Sequence, residues 1–126
     1  MKKNWLKDWP WQTVVTINAA LCQKRSALHK PTSDGYGATQ KIWEAMRDRE
    51  LTLRETLDLC RKCHQLAPFC FYNGNTFAAI GRTMIQDILA KLPPDQAHNF
   101  RSVVGHYIAG TIGSKEMADA LADVKL

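Results

Sequence analysis

The apolar residues of this chain recur at helical spacing in six segments, and nowhere do they alternate with the two-residue period of a strand. The segment opened by Thr52-Leu53-Arg54-Glu55 is the clearest. Thr52 and Glu55 are spaced to reach each other's backbone amides in a capping box. Leu53, Leu57, Cys60, Cys63, Leu66 and Ala67 then fall on one face. Pro68 should end this helix, because a proline pushes the residue before it out of helical backbone angles.

Val14, Val15, Ile17, Ala20 and Leu21 predict an earlier helix from about Trp9 to Leu28, with Asp8 or Trp9 as cap and Pro10 in its first turn. After a loop at Lys30–Gly35, a second helix over Gly37–Arg49 would bury Ile42, Trp43 and Met46. Following Asn73-Gly74-Asn75, a helix carries Ile80, Met84, Ile85, Ile88 and Leu92 as far as Pro93-Pro94. Another, from Asp95, would bury Phe100, Val103, Val104, Tyr107 and Ile108 and break at Gly110–Gly113. Ser114 should cap a last helix with Met117, Ala118, Leu121 and Val124 inward. The expected fold class is all-α: one compact bundle of about six helices over residues 1–126.

No apolar run approaches the roughly 18 residues that cross a membrane. Asp8 and Pro10 interrupt the basic start before a signal-like stretch can form, so a cytoplasmic address is the expectation. The net charge of +5 invites an acidic partner. Its cations at Lys24-Arg25, Arg47/Arg49 and Arg61-Lys62 are scattered as on solvated helix faces, which disfavours nucleic acid. Four cysteines in such a setting point to thiols or a metal before disulfides.

Cys60-Arg61-Lys62-Cys63-His64 has the attachment spacing of a c-type haem, but such attachment usually happens in exported proteins and the expectation here is a cytoplasmic one. Cys60, Cys63 and His64 share a helical face and, with Cys70, form a candidate zinc set, without the second spaced pair of a zinc finger. The competing reading packs Cys60 and Cys63 as small apolar core residues and leaves His64 partly exposed. It is the simpler of the two.

Phe69-Cys70-Phe71-Tyr72-Asn73-Gly74-Asn75-Thr76-Phe77 links two helices. An Asn-Gly-Asn turn before a helix suits an anion, since glycine frees the backbone and the first-turn amides lack internal partners. The segment resembles the Fic/Doc motif His-Pro-Phe-x-Asp/Glu-Gly-Asn-Gly/Lys-Arg, with Phe71, Gly74 and Asn75 matching. Ile17-Asn18-Ala19-Ala20 with Ser33-Asp34-Gly35, and Ile108–Ser114 through Leu121, are similar to the flanking parts of the short Doc branch.

The resemblance implies a helical fold and an ancestral reaction moving AMP or phosphate from a nucleotide to a protein hydroxyl. The motif's active side chains are replaced. Phe69 holds the place of the catalytic histidine, Cys70 that of the proline, and Asn73 that of the acidic residue that positions magnesium. Thr76 stands for the Doc lysine and Phe77 for the phosphate-gripping arginine. Phenylalanine accepts no proton, and the lost carboxylate and cation remove metal anchoring and charge compensation. His64 is expected to point away; Arg82, one turn past Phe77, is placed to reach a phosphate.

The expectation is a degenerate, non-catalytic Fic/Doc-like module with no cofactor and a protein partner, of which a small antitoxin-like protein is the class the resemblance suggests. Its surface would comprise Phe69, Phe71, Tyr72, Phe77 and Arg82 beside Trp5, Trp9 and Trp11, with Asn73, Gly74, Asn75 and Thr76 as an anion-binding remnant. Two alternatives stand: a transferase using a magnesium nucleotide with altered chemistry, and a zinc protein built on Cys60, Cys63, His64 and Cys70.

Overall fold

A computed structural model describes residues 2–124 of the chain. Seven helices follow one another: α1 (Trp11–Lys24), α2 (Gly35–Arg47), α3 (Leu53–Leu66), α4 (Asn73–Met84), α5 (Gln86–Ala90), α6 (Pro94–Ile108) and α7 (Ser114–Asp123). Among the described residues the only extended pairings are two isolated antiparallel bridges, Lys3 with Leu51 and Pro31 with Phe69. The fold is all-α. No described helix is long and apolar enough to cross a membrane.

The centre is the triangle of α3, α4 and α6, with α1 packed on α4, α2 on α3 and α7 on α6. Leu57, Phe77, Ile80, Phe100, Val104, Ile108 and Met117 are sealed inside it. The α4–α6 crossing is close because Gly81 leaves its place to Ile108; a Cβ there would collide with the isoleucine's Cδ1.

The capping box at Thr52 forms as the spacing predicts, Thr52 Oγ1 accepting from Glu55 N–H and Glu55 from Thr52 N–H. The helix ends at Leu66, two residues before Pro68, and Ala67 between them turns left-handed at φ 49° and lies exposed instead of inward. Other boundaries differ. Pro10 caps α1, which ends at Lys24 because Ser26 turns left-handed at φ 55°. Helix α2 starts two residues early, at Gly35, whose amide donates to Thr32 Oγ1. Gly113, not Ser114, precedes α7, its amide donating to Glu116, while Ala118 faces solvent.

One predicted helix is two. The run from Ile80 to Leu92 breaks at Ile85, which leaves helical geometry at ψ 7° and stands between α4 and α5 as the cap of both. The N-terminal tryptophans are not a free aromatic surface. Trp11 is buried, Trp5 and Trp9 pack on the core, and Trp9 accepts from the Trp43 indole through its carbonyl.

Candidate functional site

The α3–α4 link, residues 67–72, is left-handed at both ends, at Ala67 and at Tyr72 with φ 61°. Non-glycine residues hold such angles at a cost of about 1–3 kcal/mol each, so the surroundings must impose them. The α1–α2 loop does so on one side. Thr32 N–H donates to the Pro68 carbonyl at 2.9 Å, Cys70 N–H to Lys30 at 3.0 Å, and Thr32 Oγ1 to Ala67 at 2.6 Å.

Helix α1 holds the other side through Asn18, which is fully buried. Its amide nitrogen donates to the Phe71 carbonyl at 2.8 Å and to Thr76 Oγ1 at 3.0 Å. Its oxygen accepts from His29 at 2.8 Å, which places the imidazole proton on Nδ1, and from the Cys22 thiol at 3.5 Å. Thr76 completes the set by donating to the Tyr72 carbonyl at 2.7 Å.

Asn73 is equally committed. It accepts from Phe69 N–H at 2.9 Å and donates to the Phe69 carbonyl at 2.7 Å, mimicking a paired strand. The first helical bond of α4 runs from Thr76 N–H to Tyr72, so the amides of Asn73, Gly74 and Asn75 have no intrahelical acceptor. Backbone donors remain at this helix start, where the Asn73 and Thr76 side chains are spent on the protein itself and Asn75 is exposed.

No family model, no curated protein and no solved structure matches this chain. What the link can do therefore rests on its own geometry.

The expected aromatic surface shrinks by half. Phe69 is 1% and Phe77 0% exposed. Phe69 lies parallel to Trp11 at 6.0 Å, meets Tyr36 edge-on at 5.9 Å and sits 5.7 Å from the His29 ring. Phe77 packs on Trp43. Both are core residues, Phe69 on the link and Phe77 on the inward face of α4. Phe71, 48% exposed, stays outside with half-buried Tyr72 at 6.4 Å, and the Arg25 guanidinium lies over the Tyr72 ring at 5.3 Å.

Arg82 does not reach the link. Its guanidinium lies over Gly105 on α6, with Nε buried and unpaired. Burial, and then Arg101, lower its pKa from the usual value. His64, expected to point away, is instead at the site. Its ring rests on Gly74, where a Cβ would stand 3.3 Å from Cε1. Its Nδ1 donates to the Ile108 carbonyl at 3.0 Å; a carbonyl only accepts, so the neutral ring keeps Nε2 as its acceptor. Arg61 likewise serves the end of α6, donating to Tyr107 and Ile112 carbonyls rather than facing solvent.

The four proposed zinc ligands do not converge, and among the described residues no three His, Cys, Asp or Glu side chains form a metal-holding group. Cys60 and Cys63 are buried core residues. Burial raises the Cys60 thiol and pushes Cys63 up to about 12. Cys70 is exposed and near Cys22, whose thiol is raised first by burial and then by Cys70.

Proposed function

We propose that this chain is a non-catalytic, Fic/Doc-like helical module that binds a protein partner through Phe71, Tyr72 and Arg25. One observation carries the reading: the link spends Asn73 and Thr76 on internal hydrogen bonds yet leaves Phe71 half exposed. A large apolar ring held outward by an anchored backbone loses little entropy on docking, which is the character of an interface anchor. The aromatic pair with an arginine over it is the composition enriched at such anchors. A small antitoxin-like protein is the partner class that the family resemblance suggests.

The test is co-purification from the native host with the wild-type chain and with Phe71→Asp. Loss of a stoichiometric protein from the variant, with unchanged melting temperature, supports the reading. Identical captured proteins overturn it.

His64 supports a second reading, a nucleotide-dependent transferase with altered chemistry. An oriented imidazole with Nε2 as acceptor, beside a helix start with free amides, suits proton acceptance near a bound anion. The link and the first turn of α4, residues 67–77, contain no carboxylate to anchor magnesium. Calorimetry with ATP and magnesium decides: binding that His64→Ala leaves intact, together with labelling of a protein that it abolishes, favours the transferase.

A further inference from the structure

On the opposite part of the molecule, the N-terminal segment, the start of α3, helix α5 and the end of α7 enclose a groove of about 670 Å³. This lies within the range of small-molecule sites, about 300–1,000 Å³. Its apolar wall is made by Trp5, Leu53, Ile88, Leu92, Leu121 and Val124. Trp5, Ile88, Leu92, Leu121 and Val124 are only half covered, resting on the core with one side open.

The polar groups of the groove carry a clear sign. Lys3 and Lys91 line it, both exposed, and neither forms an ion pair among the described residues. The Lys3 ammonium stands 5.0 Å from the Trp5 ring centre. Arg54 also lines the groove, but Asp58 at 3.0 Å neutralises it. Asp87 is the one carboxylate among the lining residues. The Trp5 indole N–H is buried with no acceptor, an orphan donor in the same wall.

We propose that this groove binds an aliphatic carboxylate of medium to long chain, its hydrocarbon along the apolar wall and its carboxylate between Lys3 and Lys91. Charge complementarity selects the anion, since two exposed ammonium groups without an ion pair among the described residues line the groove against one carboxylate. The half-covered wall selects the chain, each buried methylene tightening binding by about fourfold. The proposal stands independently of the Phe71 surface.

Laurate, kept below its micelle concentration, is titrated into the full chain and followed by tryptophan fluorescence and calorimetry. Saturable one-to-one binding is expected, about 250-fold tighter than octanoate, which lacks four of the methylenes, and about tenfold tighter than dodecanol. Lys91→Glu weakens laurate about tenfold or more, whereas Lys41→Glu, the same charge change on exposed α2 surface, does so by less than twofold. Equal laurate affinity in the Lys91→Glu variant overturns the proposal, as does dodecylamine binding as tightly as laurate. So does absence of saturable binding, or a dimer by light scattering that Lys91→Glu dissociates, which would show a second copy filling the groove.

Discussion

Asn73 closes both polar atoms of its amide on the backbone of Phe69, at 2.9 and 2.7 Å. The pairing needs a donor and an acceptor on one flat group, which only Asn or Gln supplies. Asn73→Asp, the residue type of the Fic/Doc motif, would turn a carboxylate oxygen toward the Phe69 carbonyl. It is expected to cost about 1–3 kcal/mol, at least as much as Asn73→Ala. Urea denaturation of the two variants checks this; a stabilised Asn73→Asp would contradict the pairing.

Phe69 stands where the Fic/Doc motif has its histidine, and it lies in the core against Trp11 and Tyr36. Phe69→Ala should cost about 3–5 kcal/mol through the cavity it leaves. Phe69→His should also destabilise, burying a polar ring among aromatic ones, and should not produce transfer of AMP to any protein. Calorimetric melting, with labelled nucleotide as the activity probe, reads both outcomes.

The thiols should separate by exposure. Cys70 is expected to react with a thiol reagent at once and Cys22 slowly, while Cys60 and Cys63, buried with raised pKa values, react only on unfolding. Added zinc should leave the melting temperature unchanged. Four equally fast thiols in the native protein would contradict the packing.

Much of this arrangement was legible in the sequence, for reasons that follow residue by residue. The Thr52–Glu55 capping box and the stop before Pro68 depend on neighbours a few positions away, so spacing alone reveals them. The break at Ile85 was hidden, because apolar residues keep helical period straight across it. Phe69 and Phe77 looked like surface because their burial depends on Trp11 and Trp43, dozens of residues earlier. Asn18, which anchors the link to α1, reaches Thr76 across 58 residues and carries no local signal. Nothing beside His64 in the sequence places it at the turn; the partner that matters is Gly74, ten residues on and brought back by the turn.

Acid should weaken the fold through Glu44. Its carboxylate accepts from Trp11 N–H at 2.8 Å, and this bond, followed by Arg47, lowers its pKa from 4.5. The folded state therefore holds its proton less tightly than the unfolded chain. The stabilisation is present above pH 4.5 and is lost as pH falls below it toward the depressed value. Stability measured from pH 6 to 3 should fall more gently in Glu44→Gln than in the wild type.

Gly35 begins α2 directly against the carbonyls of Leu66 and Ala67, so that a Cβ would overlap both. Gly35→Ala should therefore cost more than about 2 kcal/mol, as the rigid backbone on each side cannot yield. Chemical denaturation tests it; an unchanged midpoint would count against the contact.

That contact has an evolutionary corollary. The link is held in shape by Lys30, Pro31 and Thr32, and these reach it only because nothing protrudes at position 35. A descendant that acquired a side chain there would have to release the preceding loop, and with it the turn at Tyr72. Relatives of this chain that retain the turn should thus retain a bare backbone at 35, however far the rest of their residues have drifted.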